Sequence, residues 1–89
     1  MTEAAEIVMY SSGWCPYCER ARALLARKGL ACREIKVDEE PGEREAMLAR
    51  SGGRRTVPQI FIGDRHVGGF DDLYALDRAG KLDALTGRA

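Results

Sequence analysis

The sequence is short of the residues from which metal sites and disulfide frameworks are built. Among its 89 residues are three cysteines and one histidine. An odd cysteine count without a secretion signal argues against a disulfide framework. The N-terminus, residues 1–6, carries two Glu and no basic residue, so it resembles neither a signal peptide nor a transit peptide. These absences predict a cytoplasmic protein with reduced thiols.

The sequence also lacks an excess of charge of either sign, a long apolar run and an internal repeat, which bears on its partners and on its number of domains. The fourteen acidic and fourteen basic residues balance, so net charge favours neither nucleic acid nor an anionic membrane as a partner. No apolar run approaches the ~20 residues that cross a bilayer. No internal repeat is evident, and the length predicts a single domain over residues 1–89 with an ordered core at about 5–85.

The stretch Trp14-Cys15-Pro16-Tyr17-Cys18 carries the chemistry, because it places two cysteines at Cys-x-x-Cys spacing. The apolar run before it predicts a strand, and the amphipathic pattern after it predicts a helix. Pro16 suits the first helical position. Cys15 would then face unpaired amide N–H groups and the positive end of the helix dipole, which favour a thiolate. We therefore expect Cys15 to be the nucleophile and Cys18 to resolve a mixed disulfide.

Two other roles for this cysteine pair have weaker support. The pair could be half of a zinc site, but zinc needs four ligands, and outside the pair only Cys32 and His66 remain. A purely structural disulfide is rare in a cytosolic protein. We therefore expect no bound metal.

Periodicity and turn signals predict the element order β-α-β-α-β-β-α with a short final helix. The first two strands are joined through a helix and should be parallel, whereas Gly63-Asp64 predicts an antiparallel hairpin. Asp71 is the expected N-cap of the third long helix. The predicted strands are 6–10, 31–37, 59–62 and 65–68, and the predicted helices are 16–28, 42–51, a third that ends at Gly80, and 81–85.

Pro16 and Tyr17 between the two cysteines, together with Thr56-Val57-Pro58, resemble a dithiol glutaredoxin of the bacterial glutaredoxin C or glutaredoxin 3 type. The resemblance covers nearly the whole chain. It implies an α/β, thioredoxin-like fold, with a four-stranded mixed sheet in the order 2-1-3-4 and helices on both faces.

The resemblance also implies the activity and the partners. The expected enzyme is a glutathione-dependent thiol–disulfide oxidoreductase that reduces glutathione mixed disulfides and protein disulfides. Glutathione would be the co-substrate, with no tightly bound cofactor. The protein would act as a monomer on glutathionylated or disulfide-containing proteins, with ribonucleotide reductase as one candidate, and without nucleic acid or membrane.

A glutathione site follows from the same resemblance. In this family the Val-Pro bond is cis and faces the dithiol, so the Val57 backbone would pair with the ligand as an added strand does. The amides that open the third helix, together with Asp72, would hold the γ-glutamyl carboxylate and ammonium groups. The implied site comprises Tyr17, Arg55, Thr56, Val57, Pro58, Gly69, Phe70, Asp71 and Asp72.

One departure from the family concerns the glycyl carboxylate of glutathione. Many members carry a lysine three residues before the first cysteine, where this chain has Ser12. Arg55, directly before Thr56-Val57-Pro58, is the expected replacement, and Arg54 is the second candidate.

Three alternative functions stay open from the sequence: a redoxin reduced by thioredoxin reductase, an iron–sulfur cluster carrier, and a zinc-stabilised interaction module. The aspartate pair after Gly68-Gly69 disfavours the first, because it suits a γ-glutamyl group. Pro16 disfavours the second, because cluster-carrying glutaredoxins usually lack proline at that position.

Several residues outside the dithiol motif are expected to have structural rather than catalytic roles. Cys32, in the second predicted strand, is expected to be a small buried hydrophobic residue. His66 is expected to be solvated and without a catalytic role, and Tyr74 is expected to pack. Residues 86–89 are predicted to fray.

Overall fold

A mixed four-stranded sheet forms the centre of the structure, a computed structural model that describes residues 5–86. The strand order is β2-β1-β3-β4; β1 and β2 are parallel and the other neighbouring pairs are antiparallel. This confirms the predicted thioredoxin-like topology. The strands are β1 (Ile7–Ser11), β2 (Arg33–Lys36), β3 (Gln59–Ile62) and β4 (Arg65–Gly68), and the helices are α1 (Pro16–Arg27), α2 (Glu43–Arg50), α3 (Phe70–Arg78) and α4 (Lys81–Leu85).

Strand β1 is buried on both faces, which explains its unbroken apolar run. Successive side chains of a strand point to opposite faces. Ile7 and Met9 accordingly belong to the core cluster formed with α1, α3 and α4, whereas Val8 and Tyr10 belong to the cluster that includes Met47 of α2. The helices therefore cover both faces of the sheet, as predicted.

The topology brings three distant segments to one edge of the sheet. Tyr10 near the end of β1 lies opposite Gln59 at the start of β3, and Ile60 lies opposite Gly68 at the end of β4. The loop after β1, the loop before β3 and the segment after β4 therefore meet at the same edge.

Several predicted boundaries need correction. Strand β2 is four residues long, not seven, so Cys32 precedes it. Val37 follows β2 but still donates its N–H to the Ser11 carbonyl at 2.8 Å. Helix α1 ends at Arg27, one residue before its predicted end.

The end of the chain also differs from expectation. Thr86, predicted to fray, is buried, and its hydroxyl donates to the Leu82 carbonyl at 2.9 Å. The remaining residues of that prediction, 87–89, lie outside the described part of the chain. Within residues 5–86, no helix is both long and apolar enough to cross a membrane.

Candidate active site

Cys15 occupies the N-cap of α1, with extended backbone angles of φ −154° and ψ 100°. Pro16 takes the first helical position, as predicted, since its missing N–H would have had no partner there. The Cys15 Sγ accepts the backbone N–H of Cys18 at 3.1 Å. An amide donor directed at the sulfur favours negative charge on it. The half-buried Cys15 thiol therefore occupies the position predicted for the nucleophile.

Cys18 lies one turn into α1 and is 1% exposed. Burial raises the pKa of the Cys18 thiol, and its hydrogen bond with Cys15 raises that pKa further, while a backbone hydrogen bond from Ser12 opposes both. Cys18 is thus held as a neutral thiol near pH 7. Because both thiols are free, the structure shows the reduced dithiol.

A cleft opens on one side of the dithiol, formed by the loop before β3 and the start of α3. The Val57 carbonyl oxygen lies 3.7 Å from the Cys15 Sγ, which joins this cleft to the nucleophile. The Val57-Pro58 peptide bond is cis, as the resemblance implied. The residues that line the cleft are Tyr17, Arg54, Thr56, Val57, Pro58, Gly69, Phe70, Asp71 and Asp72.

The start of α3 differs in one detail from the prediction. Its N-cap is Gly69 rather than Asp71, and the Asp72 carboxylate accepts the Gly69 N–H at 3.0 Å. Gly68 precedes the cap with φ +117°, and a Cβ there would collide with the Asp72 carboxylate. Glycine at position 68 therefore gives the carboxylate room to close the helix end. Asp71 and Asp72 are both exposed at the cleft.

A hydrogen-bond network that we did not predict supports the loop before β3. The buried Gln59 donates its side-chain amide to the carbonyl and hydroxyl oxygens of Thr56, at 2.9 and 3.1 Å. His66 Nε2 lies 2.7 Å from the Gln59 Oε1. Since Oε1 can only accept, His66 must donate from Nε2. This network links β4 to the residue before Val57.

His66 is consequently not the solvated residue that we predicted. It is half-buried and stacks on Phe61 with ring centroids 4.8 Å apart. Burial lowers the pKa of His66, and the positive charge of Arg54 lowers it further. Both effects favour the neutral ring that the bond to Gln59 uses.

The other side of Cys15 is a polar cleft held by an ion pair. Arg22 donates from Nε and Nη2 to the two carboxylate oxygens of Glu34, at 2.8 and 2.7 Å, and Ser11 donates to the same carboxylate at 2.5 Å. The Arg22 hydrogen bond is the main reason that the pKa of Glu34 is lowered. This ion pair connects α1 to β2 next to the loop that carries the dithiol. The polar cleft is lined by Ser12, Gly13, Cys15, Glu19, Arg22, Glu34 and Lys36.

The acidic run before α2 has a role that its sequence did not show. Asp38 opens this acidic run, and α2 begins five residues later, at Glu43. The Asp38 carboxylate accepts the N–H of Gly13 at 2.9 Å. It therefore fixes the loop between β1 and the dithiol.

Most of the predicted glutathione-site residues meet at the cleft, but the two arginines are placed differently. Both arginines are exposed, but Arg54 lines the cleft and Arg55 does not. A separate concavity of about 550 Å³, larger than this cleft, lies near Cys32 at the start of β1. The dithiol lies beyond the other end of that strand. Within residues 5–86, no cluster of three or more His, Cys, Asp or Glu side chains could hold a metal ion.

Comparisons with known proteins agree with this geometry. The family described as Glutaredoxin matches residues 7–67. A glutaredoxin of Pseudomonas aeruginosa is 61% identical over 79 residues, which cover 89% of this chain and 93% of that protein. Glutaredoxin 3 of Escherichia coli strain K12 is 53% identical over 81 residues, covering 91% of this chain and 96% of that protein.

Solved structures give the same result. The solution structure of a glutaredoxin from Brucella melitensis superimposes with a TM-score of 0.82 at 52% identity, covering 98% of this chain and 94% of that one. A buckwheat glutaredoxin–glutathione complex superimposes with a TM-score of 0.83 at 35% identity, covering 93% of this chain and 77% of that one. The chain therefore belongs to the glutaredoxin family of thiol–disulfide oxidoreductases.

Proposed function

We propose that this enzyme uses glutathione to reduce glutathione mixed disulfides and protein disulfides through Cys15 and Cys18. The observation that carries the proposal is the contact between the Cys15 Sγ and the Val57 carbonyl, 3.7 Å apart, at the edge of the cleft between the loop before β3 and the start of α3. The similar buckwheat protein was solved with glutathione, which supports the same ligand here.

The reaction is thiol–disulfide exchange. The Cys15 thiolate attacks the glutathione sulfur of a mixed disulfide, forms Cys15–S–S–glutathione and releases the substrate thiolate. A second glutathione thiolate then attacks the glutathione sulfur of this intermediate. That step frees Cys15 and yields oxidised glutathione. With a protein disulfide, the Cys15 thiolate first attacks one substrate sulfur, forms a Cys15–substrate disulfide and releases the other sulfur as a thiolate. Cys18 then loses its proton and attacks the Cys15 sulfur, which breaks that mixed disulfide and leaves the Cys15–Cys18 disulfide and a reduced substrate.

Each part of glutathione has a matching group in the cleft. The Val57 backbone pairs with the cysteinyl residue as a neighbouring strand would. The first amides of α3 receive the γ-glutamyl carboxylate, and Asp72 receives its ammonium group. Arg54 is our first candidate for the glycyl carboxylate because it lines the cleft, with Arg55 second. Tyr17 and Phe70 form the apolar wall, with ring centroids 6.4 Å apart.

We further propose that the protein acts in the cytoplasm as a monomeric single domain over residues 1–89. Its partners are glutathione and glutathionylated or disulfide-containing proteins, and ribonucleotide reductase stays a candidate substrate. Glutathione serves as co-substrate rather than as a tightly bound cofactor.

The test is the reduction of a small glutathione mixed disulfide, followed as NADPH consumption in the presence of glutathione and glutathione reductase. We expect turnover that depends on both glutathione and Cys15. Omission of glutathione is the first control, and replacement of the glutathione system by thioredoxin reductase is the second. Turnover with thioredoxin reductase alone would contradict the proposal.

A further inference from the structure

A row of aromatic rings crosses the surface from α1 to α3 and ends in an arginine on each side. Tyr17 and Phe70 have ring centroids 6.4 Å apart, and Phe70 and Tyr74 have centroids 5.9 Å apart. The Arg20 guanidinium lies over the Tyr17 ring at 5.1 Å, and the Arg78 guanidinium lies over the Tyr74 ring at 5.7 Å. We call these five side chains the aromatic row.

The aromatic row is open to solvent. Tyr17 is 51% exposed and Tyr74 is 43% exposed, whereas Phe70 is half-buried. Exposed aromatic rings bordered by arginines have the composition of a protein interaction surface, because Tyr, Phe and Arg are enriched there. Packing within the core does not explain why two tyrosines and two arginines line up on the outside.

The row carries positive charge at both ends. Within residues 5–86, neither Arg20 nor Arg78 forms an ion pair with a carboxylate. The Arg78 Nη1 instead donates to the Tyr74 hydroxyl at 2.9 Å. Each guanidinium is therefore held near a ring and keeps donors that could bind a partner's carboxylate in a bidentate manner.

The row is continuous with the cleft beside Cys15. Tyr17 and Phe70 line that cleft, while Arg20, Tyr74 and Arg78 lie outside it. Glutathione is only a tripeptide. A polypeptide joined to Cys15 through a disulfide is longer, so it has to leave the cleft, and the row extends from its apolar wall.

We propose that the aromatic row is the docking surface for protein disulfide substrates and selects segments in which an apolar or aromatic side chain is flanked by Asp or Glu. The apolar side chain would pack on Tyr74 and Phe70, and the flanking carboxylates would bind Arg20 and Arg78. This inference rests on the proposed function, because it assigns a substrate class to the same dithiol.

The acidic groups of the cleft restrict where a substrate's carboxylates can lie. Asp71 and Asp72 are exposed at the start of α3 and would repel a substrate carboxylate beside Phe70, unless that carboxylate is seated on the first amides of α3 as proposed for the γ-glutamyl group. Carboxylates are therefore favoured at the two ends of the row and disfavoured at its centre. This pattern distinguishes the surface from a uniformly basic patch.

The chemistry at this surface is the two-electron reduction of the substrate disulfide. The Cys15 thiolate attacks one substrate sulfur, and the other leaves as a thiolate that takes a proton from water. Cys18 then loses its proton to solvent, and its sulfur attacks Cys15. The substrate leaves as a dithiol, and two glutathione molecules reduce the Cys15–Cys18 disulfide again.

The test uses three synthetic peptides that share an internal disulfide and a central Phe, with flanking Glu, Gln or Lys pairs. Their kcat/KM values are measured with glutathione, glutathione reductase and NADPH. For solvent-exposed charge pairs we expect about a tenfold higher kcat/KM for the Glu peptide than for the Lys peptide, and this ratio should shrink as salt is added.

Three variants connect that preference to the row. The double variant Arg20→Gln/Arg78→Gln should bring the three peptides to similar kcat/KM values. Tyr74→Ala should lower kcat/KM about threefold for all three peptides, because it removes apolar contact rather than charge. Arg44→Gln, an exposed arginine of α2 on the other face of the sheet, is the matched control and should change nothing.

The small glutathione mixed disulfide separates this inference from the proposed function. All four proteins should reduce it at the same rate, which also shows that the variants are folded. If the unmodified enzyme fails with that substrate, the proposed function is wrong. If it succeeds but shows no preference among the peptides, or if the double variant keeps the preference, the docking inference is overturned.

Discussion

The N-terminal end of α1 and the segment before β2 each hold a half-buried thiol, Cys15 and Cys32. Their surroundings differ. The Cys15 Sγ accepts an amide N–H from Cys18 at 3.1 Å, whereas the Cys32 Sγ lies 3.7 Å from the carbonyl oxygen of Arg33. Burial raises the pKa of Cys32 to about 11.

Partial exposure is common to both thiols, and only Cys15 stands at the N-terminus of a helix. A helix N-terminus presents free N–H donors and the positive end of a dipole to the sulfur, and so stabilises a thiolate. Each sulfur also has a carbonyl oxygen at 3.7 Å, that of Val57 beside Cys15 and that of Arg33 beside Cys32, so the two thiols differ in the helix N-terminus at Cys15 and in the burial that raises the pKa of Cys32. Four predictions test this difference and one tests the cleft beside Cys15, in order from the largest expected effect.

Cys15→Ser should abolish the reduction of both glutathione mixed disulfides and peptide disulfides, because the neighbouring Cys18 thiol is buried and burial raises its pKa. Turnover is measured in the glutathione reductase assay with each substrate. Residual activity that disappears on further substitution of Cys32 would show that the second thiol can replace the first, and the comparison would fail.

Cys18→Ser should abolish the reduction of peptide disulfides while keeping the reduction of glutathione mixed disulfides within about twofold. The buried Cys18 thiol resolves the protein-linked intermediate, whereas glutathione itself resolves the glutathionylated one. The Cys15→Ser and Cys18→Ser variants are each assayed with both substrates. Loss of the mixed-disulfide activity in Cys18→Ser, with retention in Cys15→Ser, would reverse the two roles.

Alkylation of Cys32 should depend steeply on pH. With a pKa of about 11, its thiolate fraction rises about tenfold per pH unit, hence roughly a thousandfold from pH 7 to pH 10. The rate is measured by mass spectrometry with iodoacetamide on Cys15→Ser/Cys18→Ser, in which Cys32 is the remaining thiol. A rate that levels off below pH 9 would show that the region before β2 does stabilise a thiolate.

Arg54→Ala should raise the apparent KM for glutathione about fivefold, since an ion pair open to water contributes ~1 kcal/mol. Arg55→Ala is the matched control and should change KM less than twofold, because Arg55 is outside the cleft lining. Ser12→Lys should partly restore binding in the Arg54→Ala background. A fivefold effect from Arg55→Ala alone would instead assign the glycyl carboxylate to Arg55.

Cys32→Ala should leave the turnover rate almost unchanged and cost ~1 kcal/mol or less of unfolding free energy, as expected for a small, partly buried thiol. Activity is measured with the small mixed disulfide, and stability is measured by urea unfolding. A tenfold loss of activity in a folded Cys32→Ala variant would give Cys32 a functional role.

The sequence by itself determined the features that depend on neighbouring residues. Pro16 between the cysteines marked the helix start, the unbroken apolar run marked a strand buried on both faces, and Gly63-Asp64 marked the hairpin. Family resemblance added the sheet order and the cis Val57-Pro58 bond, both of which the structure confirms. Periodicity and turn chemistry carry the helix start, the strand and the hairpin locally, so one sequence was enough to recover those three features.

The tertiary structure decided the features that depend on contacts between distant residues. The Cys15–Val57 contact spans 42 positions and the Gly13–Asp38 hydrogen bond spans 25. The placement of His66 against Gln59, and of Arg54 rather than Arg55 at the cleft, depends on side-chain directions that no local pattern encodes. A polar side chain takes whichever partner the packed sheet and helices leave within hydrogen-bond reach, so its role emerges only after the fold has formed.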